Sequence, residues 1–191
     1  MNLIGRVISH FRDSSFDGDR EDERIGKIDE GALCILRKLN DEGKEAYVVG
    51  GCVRDLLMGL VPHDWDITTS ARPDEIVSIA KSAGWKAVDG GGRRFGTVIV
   101  VREGKSYEVT TFRREFYGED SHRPSEVSFS DTLKEDVSRR DFTVNAMAVD
   151  VDGCLYDYFH GLRDLKNKKL RTVGDAESRF KEDALRLFRA C

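Results

Sequence analysis

No run of apolar residues in this 191-residue chain is long enough to cross a bilayer, which sets the transmembrane proteins aside. Paired cysteines are missing as well. Cys34, Cys52, Cys154 and Cys191 form no C-x-x-C and have no histidine at zinc-finger spacing, so neither a disulfide framework nor a structural zinc site is indicated. A reduced, cytoplasmic setting with no membrane partner is the simplest expectation. The opening MNLIGRVISHF is amphipathic but lacks a long apolar core and a small-residue cleavage site, which argues against a signal peptide. A general basic excess is also lacking: the formal net charge is -4, so there is no chain-wide signature of nucleic-acid binding. No internal repeat is visible.

The chain does contain 39% hydrophobic and 35% charged residues, enough apolar material for one core, or one core and a small appendage, beneath a charged surface. The charge is unevenly placed. Residues 161–191 hold nine Lys/Arg against five Asp/Glu, +4 locally, which makes this end the better candidate for contact with nucleic acid.

Residues 12–27 are polar and charge-dense and read as a mobile arm. Ala32, Leu33, Ile35, Leu36 and Leu39 then repeat at helical spacing, ending near Gly43. EAYVVGG predicts a strand running into glycines, VRDLLMG a short helix, HDWDITT a second strand, and RPDEIVSIAKSAG a helix with proline at its start and glycine at its end. FGTVIVVREGKSYEVTTF predicts a hairpin turning at Glu103-Gly104-Lys105. Residues 113–126 look like a loop, KEDVSRRDFTVNA like a helix, MAVDVDGCLYDYF like a hairpin turning at Asp152-Gly153, and residues 175–191 like one helix still periodic at the last residue, as if cut. The expected class is α+β: a mostly antiparallel sheet with helices on one side.

The chemistry concentrates in a few places. In a strand, residues two apart share a face, so Asp64 and Asp66 would stand side by side with Trp65 turned into the core. Two adjacent carboxylates repel unless a cation lies between them. Mg²⁺ suits the pair, because it takes one or two carboxylates and completes its shell with water and phosphate oxygens. Alone, such a pair could equally be an exposed acidic strand end. Just upstream, Gly50-Gly51 open a helix whose N–H groups can receive an anion, and Arg54 can reach the same anion. Phosphate-binding glycines followed by metal carboxylates are what nucleotidyl transfer requires. Glu108, inside its strand, would complete an acidic triad if that strand lies beside Asp66; otherwise it is a surface glutamate. Arg140 could meet a phosphate, Asp141 a ribose hydroxyl and Asn145 either, or the segment is a helix with an internal ion pair. Asp183, Arg186 and Arg189 fall on one helix face and could hydrogen-bond the Watson–Crick edge of a base, or form a solvated ion pair. His63 reads as structural or incidental.

These motifs, GGCVRDLLMG…HDWDI, YEVTTFRRE, RRDFTVNAMAVD and RFKEDALRLFRA, resemble in this order those of class II tRNA nucleotidyltransferases and bacterial poly(A) polymerases, within the polymerase-beta-type superfamily. The resemblance covers about residues 29–191. It implies a catalytic head over 29–160, with a mixed, mostly antiparallel sheet of about five strands, and the start of a helical neck over 161–191; the charged arm over 1–28 lies outside it. It implies two Mg²⁺ ions on Asp64 and Asp66 with Glu108 nearby, the triphosphate on Gly50, Gly51 and Arg54, and phosphate and sugar on Arg140, Asp141 and Asn145. Asp183 and Arg186 would read CTP or ATP, with Arg189 helping to place the nucleotide. The 3′ hydroxyl of a tRNA would attack the α-phosphate and release pyrophosphate. Residues 113–124 match the loop thought to support the switch from CTP to ATP. EDALR and NAMAVD look like the CCA-adding branch, whereas similar poly(A) polymerases tend to carry proline where Ala184 stands. Arg94-Phe95 replaces a Lys-His found in relatives. Poly(A) addition, A-only or CC-only addition, and a non-catalytic nucleotide- or RNA-binding module are the alternatives.

Overall fold

The computed structural model describes residues 28–89, 91–92, 95–116, 126–183 and 185–189. Most of the expected N-terminal arm, Arg94, Ala184 and most of the 113–124 loop lie outside the described residues.

Helix α1 (Glu30–Asp41) begins at Asp29, whose carboxylate accepts the N–H groups of Gly31 and Ala32 at 2.9 and 3.3 Å, a typical N-terminal cap. The same carboxylate accepts Tyr107 Oη and Lys105 Nζ, each at 2.6 Å. This brings Tyr107 so close that a Cβ on Gly31 would lie 1.9 Å from its hydroxyl, so only glycine fits there. The buried stripe Ala32, Ile35, Leu36 and Leu39 is the one read from the sequence.

Strand β1 (Ala46–Val49), helix α2 (Gly51–Leu57), strand β2 (Asp66–Thr69) and helix α3 (Pro73–Ser82) follow. Next come β3 (Lys86–Val88), β4 (Thr97–Arg102), β5 (Lys105–Thr111), β6 (Arg113–Phe116) and β7 (Glu126–Phe129). The chain continues through α4 (Leu133–Ser138), β8 (Ala148–Val149), β9 (Leu155–Tyr156), α5 (Gly161–Lys166), α6 (Ala176–Glu182) and α7 (Leu185–Arg189). The main sheet runs β3-β4-β5-β2-β1-β8-β9. Its neighbours are antiparallel except β2 and β5, which run parallel with Asp66 opposite Glu108. The five longer strands are thus extended by a hairpin of two-residue strands.

Alternation along the strands sorts the sheet into two faces. Ala46, Val48, Ile67, Val98, Val100 and Val109 join α1, α2 and α3 in the larger core. Val49 turns the other way, into a smaller core with Phe112, Ala148 and Val173. That second face, expected to be free of helices, also carries α4, through Leu133 and Val137.

Three expectations need correction. Residues 113–116 and 126–129 form a two-stranded ribbon, not loop. The predicted helix over 134–146 ends at Ser138; Arg139 and Arg140 turn, Phe142 bridges Thr172, and residues 143–145 make a single 3-10 turn. Burial of Phe142 and a bond from its N–H to Asp141 Oδ1 (2.8 Å) outweigh the helical alternative. The last helix is two. Asp183 is extended (φ -153°, ψ 108°), and its carboxylate accepts Leu185 N–H at 2.9 Å, so a residue expected on a helix face instead starts a new helix. Strand β3 and helix α5 had no counterpart in the sequence reading.

Candidate active site

The second face of the sheet forms the floor of a cleft of about 710 Å³. Thr97, Ile99, Asp66 and Glu108 line it; Val98, Val100, Ile67 and Val109, one position along, belong to the opposite core. The start of α2 forms one wall, residues 139–145 a second, and α7 a third. Of the candidate site residues read from the sequence, all but Gly50 and Asp64 line this cleft.

Gly50 lies directly behind the wall. Its φ of +89° is a conformation that glycine alone adopts readily. A Cβ there would also fall 2.7 Å from Arg140 Nη1 and 3.7 Å from Asp66 Oδ2. The glycine therefore lets a guanidinium approach the backbone beside the Asp66 carboxylate. Helix α2 starts at Gly51 with no side chain capping it.

Strand β2 begins at Asp66, so Asp64 lies in the segment leading into it and is exposed. The expected pair on one strand face is therefore corrected: only Asp66 is fixed by the pleat. The two acids still sense each other. Burial pushes the Asp66 carboxyl above its ordinary range, the nearby Arg140 charge opposes this, and the Asp64 charge adds to it. Trp65 packs against the larger core, as expected. Glu108 stands opposite Asp66 in the parallel register. Among the described residues no group of three His, Cys, Asp or Glu side chains is placed to hold a metal. His63 is exposed.

The remaining polar groups pair with one another. Arg54 donates to Asp55 Oδ1 from Nη2 and Nε (2.7 and 2.9 Å) and to Asn145 Oδ1 (2.8 Å). Asn145 Nδ2 donates to Asp141 Oδ1 at 3.3 Å. Asp141 Oδ2 meets Arg189 Nε at 3.0 Å, and Arg189 Nη2 is 3.8 Å from Asp183 Oδ2. Asp183, Arg186 and Arg189 all line the cleft, but not from one continuous helix face, because the helix breaks at Asp183. Arg140 Nε is buried with no hydrogen-bond partner among the described residues.

The sequence reading missed Asp136. Its side chain is wholly buried, accepting Thr68 Oγ1 (2.9 Å), Arg113 N–H (3.2 Å) and Arg139 Nε (3.0 Å). It anchors the wall that carries Arg140. An acid between the apolar Leu133 and Val137, followed by two arginines, was the available signal. Arg139, Arg113 and Phe95, given no role in the sequence, also line the cleft; Arg113 Nη1 donates to the Phe95 carbonyl. Cys52, beneath Gly50, is buried, and burial together with Asp66 pushes its thiol up to about 11.

The profile of the Poly A polymerase head domain matches residues 46–171. The CCA-adding enzymes of Lactobacillus johnsonii and Bacillus licheniformis are each 54% identical over 159 residues, covering 83% of this chain and 39% of each relative. The structure of the Bacillus stearothermophilus CCA-adding enzyme in complex with CTP is 46% identical, with a TM-score of 0.74 over 83% of this chain and 37% of that one. The Thermotoga maritima CCA-adding enzyme complexed with tRNA is 28% identical, with a TM-score of 0.68 over 89% of this chain and 39% of that one. The chain spans about 39% of the length of the curated relatives it matches. With two-thirds of its sequence under one domain profile and its sheet matching solved relatives, the chain belongs to the Poly A polymerase head domain family.

Proposed function

We propose that this chain carries the nucleotidyl-transfer site of a CCA-adding enzyme, taking CTP and ATP and extending the 3′ end of a tRNA with release of pyrophosphate. The observation that carries the reading is the cleft itself: cationic Arg54 and Arg140 stand beside Asp66 at the Gly50-Gly51 turn, with Asp183, Arg186 and Arg189 on a facing wall. The first group suits a triphosphate and the second a base edge. The CTP-bound and tRNA-bound relatives support the choice of substrates.

Asp64 and Asp66 would hold Mg²⁺. The fit rests on the donor set: Asp66 on the cleft floor and its neighbour Asp64 offer two hard carboxylate donors. Such an ion completes its shell from phosphate and water. Bound there, the metal would supply Lewis-acid stabilisation of phosphate oxygens. Glu108, across the register, adds negative charge beside that position. Gly50, Gly51 and Arg54 would receive the triphosphate. Arg140, with its unpaired buried Nε, would meet phosphate, while Asp141 and Asn145 would take the sugar. Arg54, Asp141 and Arg189 must exchange their internal partners for the nucleotide. Asp183 and Arg186 would select the base. Residues 29–160 would serve as the head and 161–191 as the start of the neck.

No helix among the described residues is long and apolar enough to cross a membrane, and a tRNA substrate fits a cytoplasmic location. The test is incubation of a tRNA lacking its 3′ CCA with Mg²⁺ and each labelled nucleotide. Incorporation of C and then A is expected. Incorporation of A without C would replace CCA addition with poly(A) or A-only addition, and C alone would indicate the CC-only reaction. Asp183→Ala should relax the choice between CTP or ATP and GTP or UTP while leaving Mg²⁺ dependence in place.

A further inference from the structure

Arg179 has no role in the site as described, yet it joins three parts of the chain. From α6 its Nε donates to the Val173 carbonyl at 3.0 Å and its Nη2 to the Ser138 carbonyl at 3.1 Å, while Nη1 lies 3.5 Å from the Arg139 carbonyl. Arg186, on α7, donates from Nη1 to the Arg179 carbonyl at 2.9 Å and from Nη2 toward the Arg139 carbonyl at 3.4 Å. Arg186 is 3% exposed. Two guanidinium groups therefore converge on the Arg139 carbonyl, and the main chain of Arg179 is itself one of the supports of Arg186.

The segment they grip has a separate anchor. Phe142 bridges Thr172, Val173 N–H donates to the Asp141 carbonyl (3.0 Å), and Thr143 N–H donates to the Arg171 carbonyl (2.8 Å). Asp136 holds Arg139 from below. The strip bearing Arg140 and Asp141 is therefore fixed without Arg179. The short helices α6 and α7 rest on this strip through arginines, Arg179 from α6 and Arg186 and Arg189 from α7; both are under two turns, too short to be stable on their own.

We infer that Arg179 is a positioning residue for nucleotide selection: its guanidinium pins α6 to the 138–139 and 173 carbonyls and so sets where Asp183 and Arg186 present their polar groups to a base. The planar, forked guanidinium is suited to this, since it offers donors in several fixed directions that a lysine ammonium cannot reproduce. The inference rests on the reading of the cleft as a nucleotide site. It separates two halves of that site, with Arg179 supporting the base-reading half and not the triphosphate half.

The test is calorimetric binding of CTP, ATP, GTP and UTP with Mg²⁺ to the 191-residue chain, with magnesium tripolyphosphate as a probe lacking a base. Arg179→Ala is expected to shrink the preference for CTP and ATP over GTP and UTP by about tenfold, the size of one or two lost hydrogen bonds. Arg179→Lys should fall between, and tripolyphosphate affinity should be unchanged in both. An unchanged base preference, or a parallel fall in tripolyphosphate affinity, overturns the inference. If Arg179→Ala fails to fold, Arg179→Lys decides by the same two readouts. A wild-type chain that binds all four nucleotides alike overturns the nucleotide-selection reading and this inference together, and is distinguished because the flat profile then precedes any substitution.

Discussion

Arg140 has an acid on either side of it, Asp66 toward the cleft and Asp136 toward the interior, and the two surroundings push in opposite directions. At Asp136 burial raises the carboxyl, but Arg139, Arg140, the Thr68 hydroxyl and the Arg113 N–H together hold it below its ordinary range. At Asp66 burial also raises the carboxyl, Arg140 alone opposes, Asp64 adds to the rise, and the outcome is upward. The interior acid is a satisfied ionic strut. The cleft acid sits beside another acid with one opposing cation, so its charged form is disfavoured where that of Asp136 is favoured. One arginine thus belongs to both a structural and a chemical neighbourhood, and the number of donors around each acid distinguishes them.

The sharpest way to test that contrast is to remove the cleft acids. Asp64→Ala/Asp66→Ala is expected to abolish Mg²⁺-dependent CTP binding while the melting temperature stays level or rises, since two repelling charges are lost; a marked fall in melting temperature would make these acids structural too. Removing the interior acid should do the reverse. Asp136→Ala removes a buried acid paired with Arg139 and facing Arg140 and should cost about 3–5 kcal/mol in chemical denaturation; a loss well under 1 kcal/mol would break the distinction. Gly50→Ala comes next. It forces a side chain into φ +89° and against Arg140 Nη1, so about 1–3 kcal/mol of destabilisation should accompany weaker CTP binding.

The smallest effect is in the pH dependence. The raised Asp66 contributes a penalty that is absent below about 3.8, grows as pH climbs from there through its folded value, and persists above it. The lowered Asp136 contributes stability that is full above about 3.8 and disappears as pH falls through its folded value. Stability of the wild type minus Asp66→Asn should therefore decline as pH rises above 3.8. Wild type minus Asp136→Ala should decline as pH falls below it. Parallel curves would mean the two acids are alike.

Much of this was legible in the chain. The short apolar runs AYVV and TVIVVR, bounded by glycines, mark strands, and Pro73 and the glycines punctuate helices locally. The Gly50-Gly51 turn and the polar residues of the cleft were visible because their types are unusual at those positions. The errors fell where long-range contacts competed with local preference. RRDFTVNA has helical neighbours but is drawn out by burial of Phe142 and its bridge to Thr172. Asp183 could have continued a helix, but its carboxylate caps a new one instead.

Local patterning by itself determined the α+β class, the elements around the site and the residue types available for chemistry, because hydrophobic period and capping act over a few residues. Only the tertiary structure decided that Asp66 faces Glu108, that Asp136 is buried and paired, and that Arg179 clasps carbonyls up to 41 residues away. These depend on which strands lie side by side and which charges are removed from water together, and no short stretch of sequence carries that information.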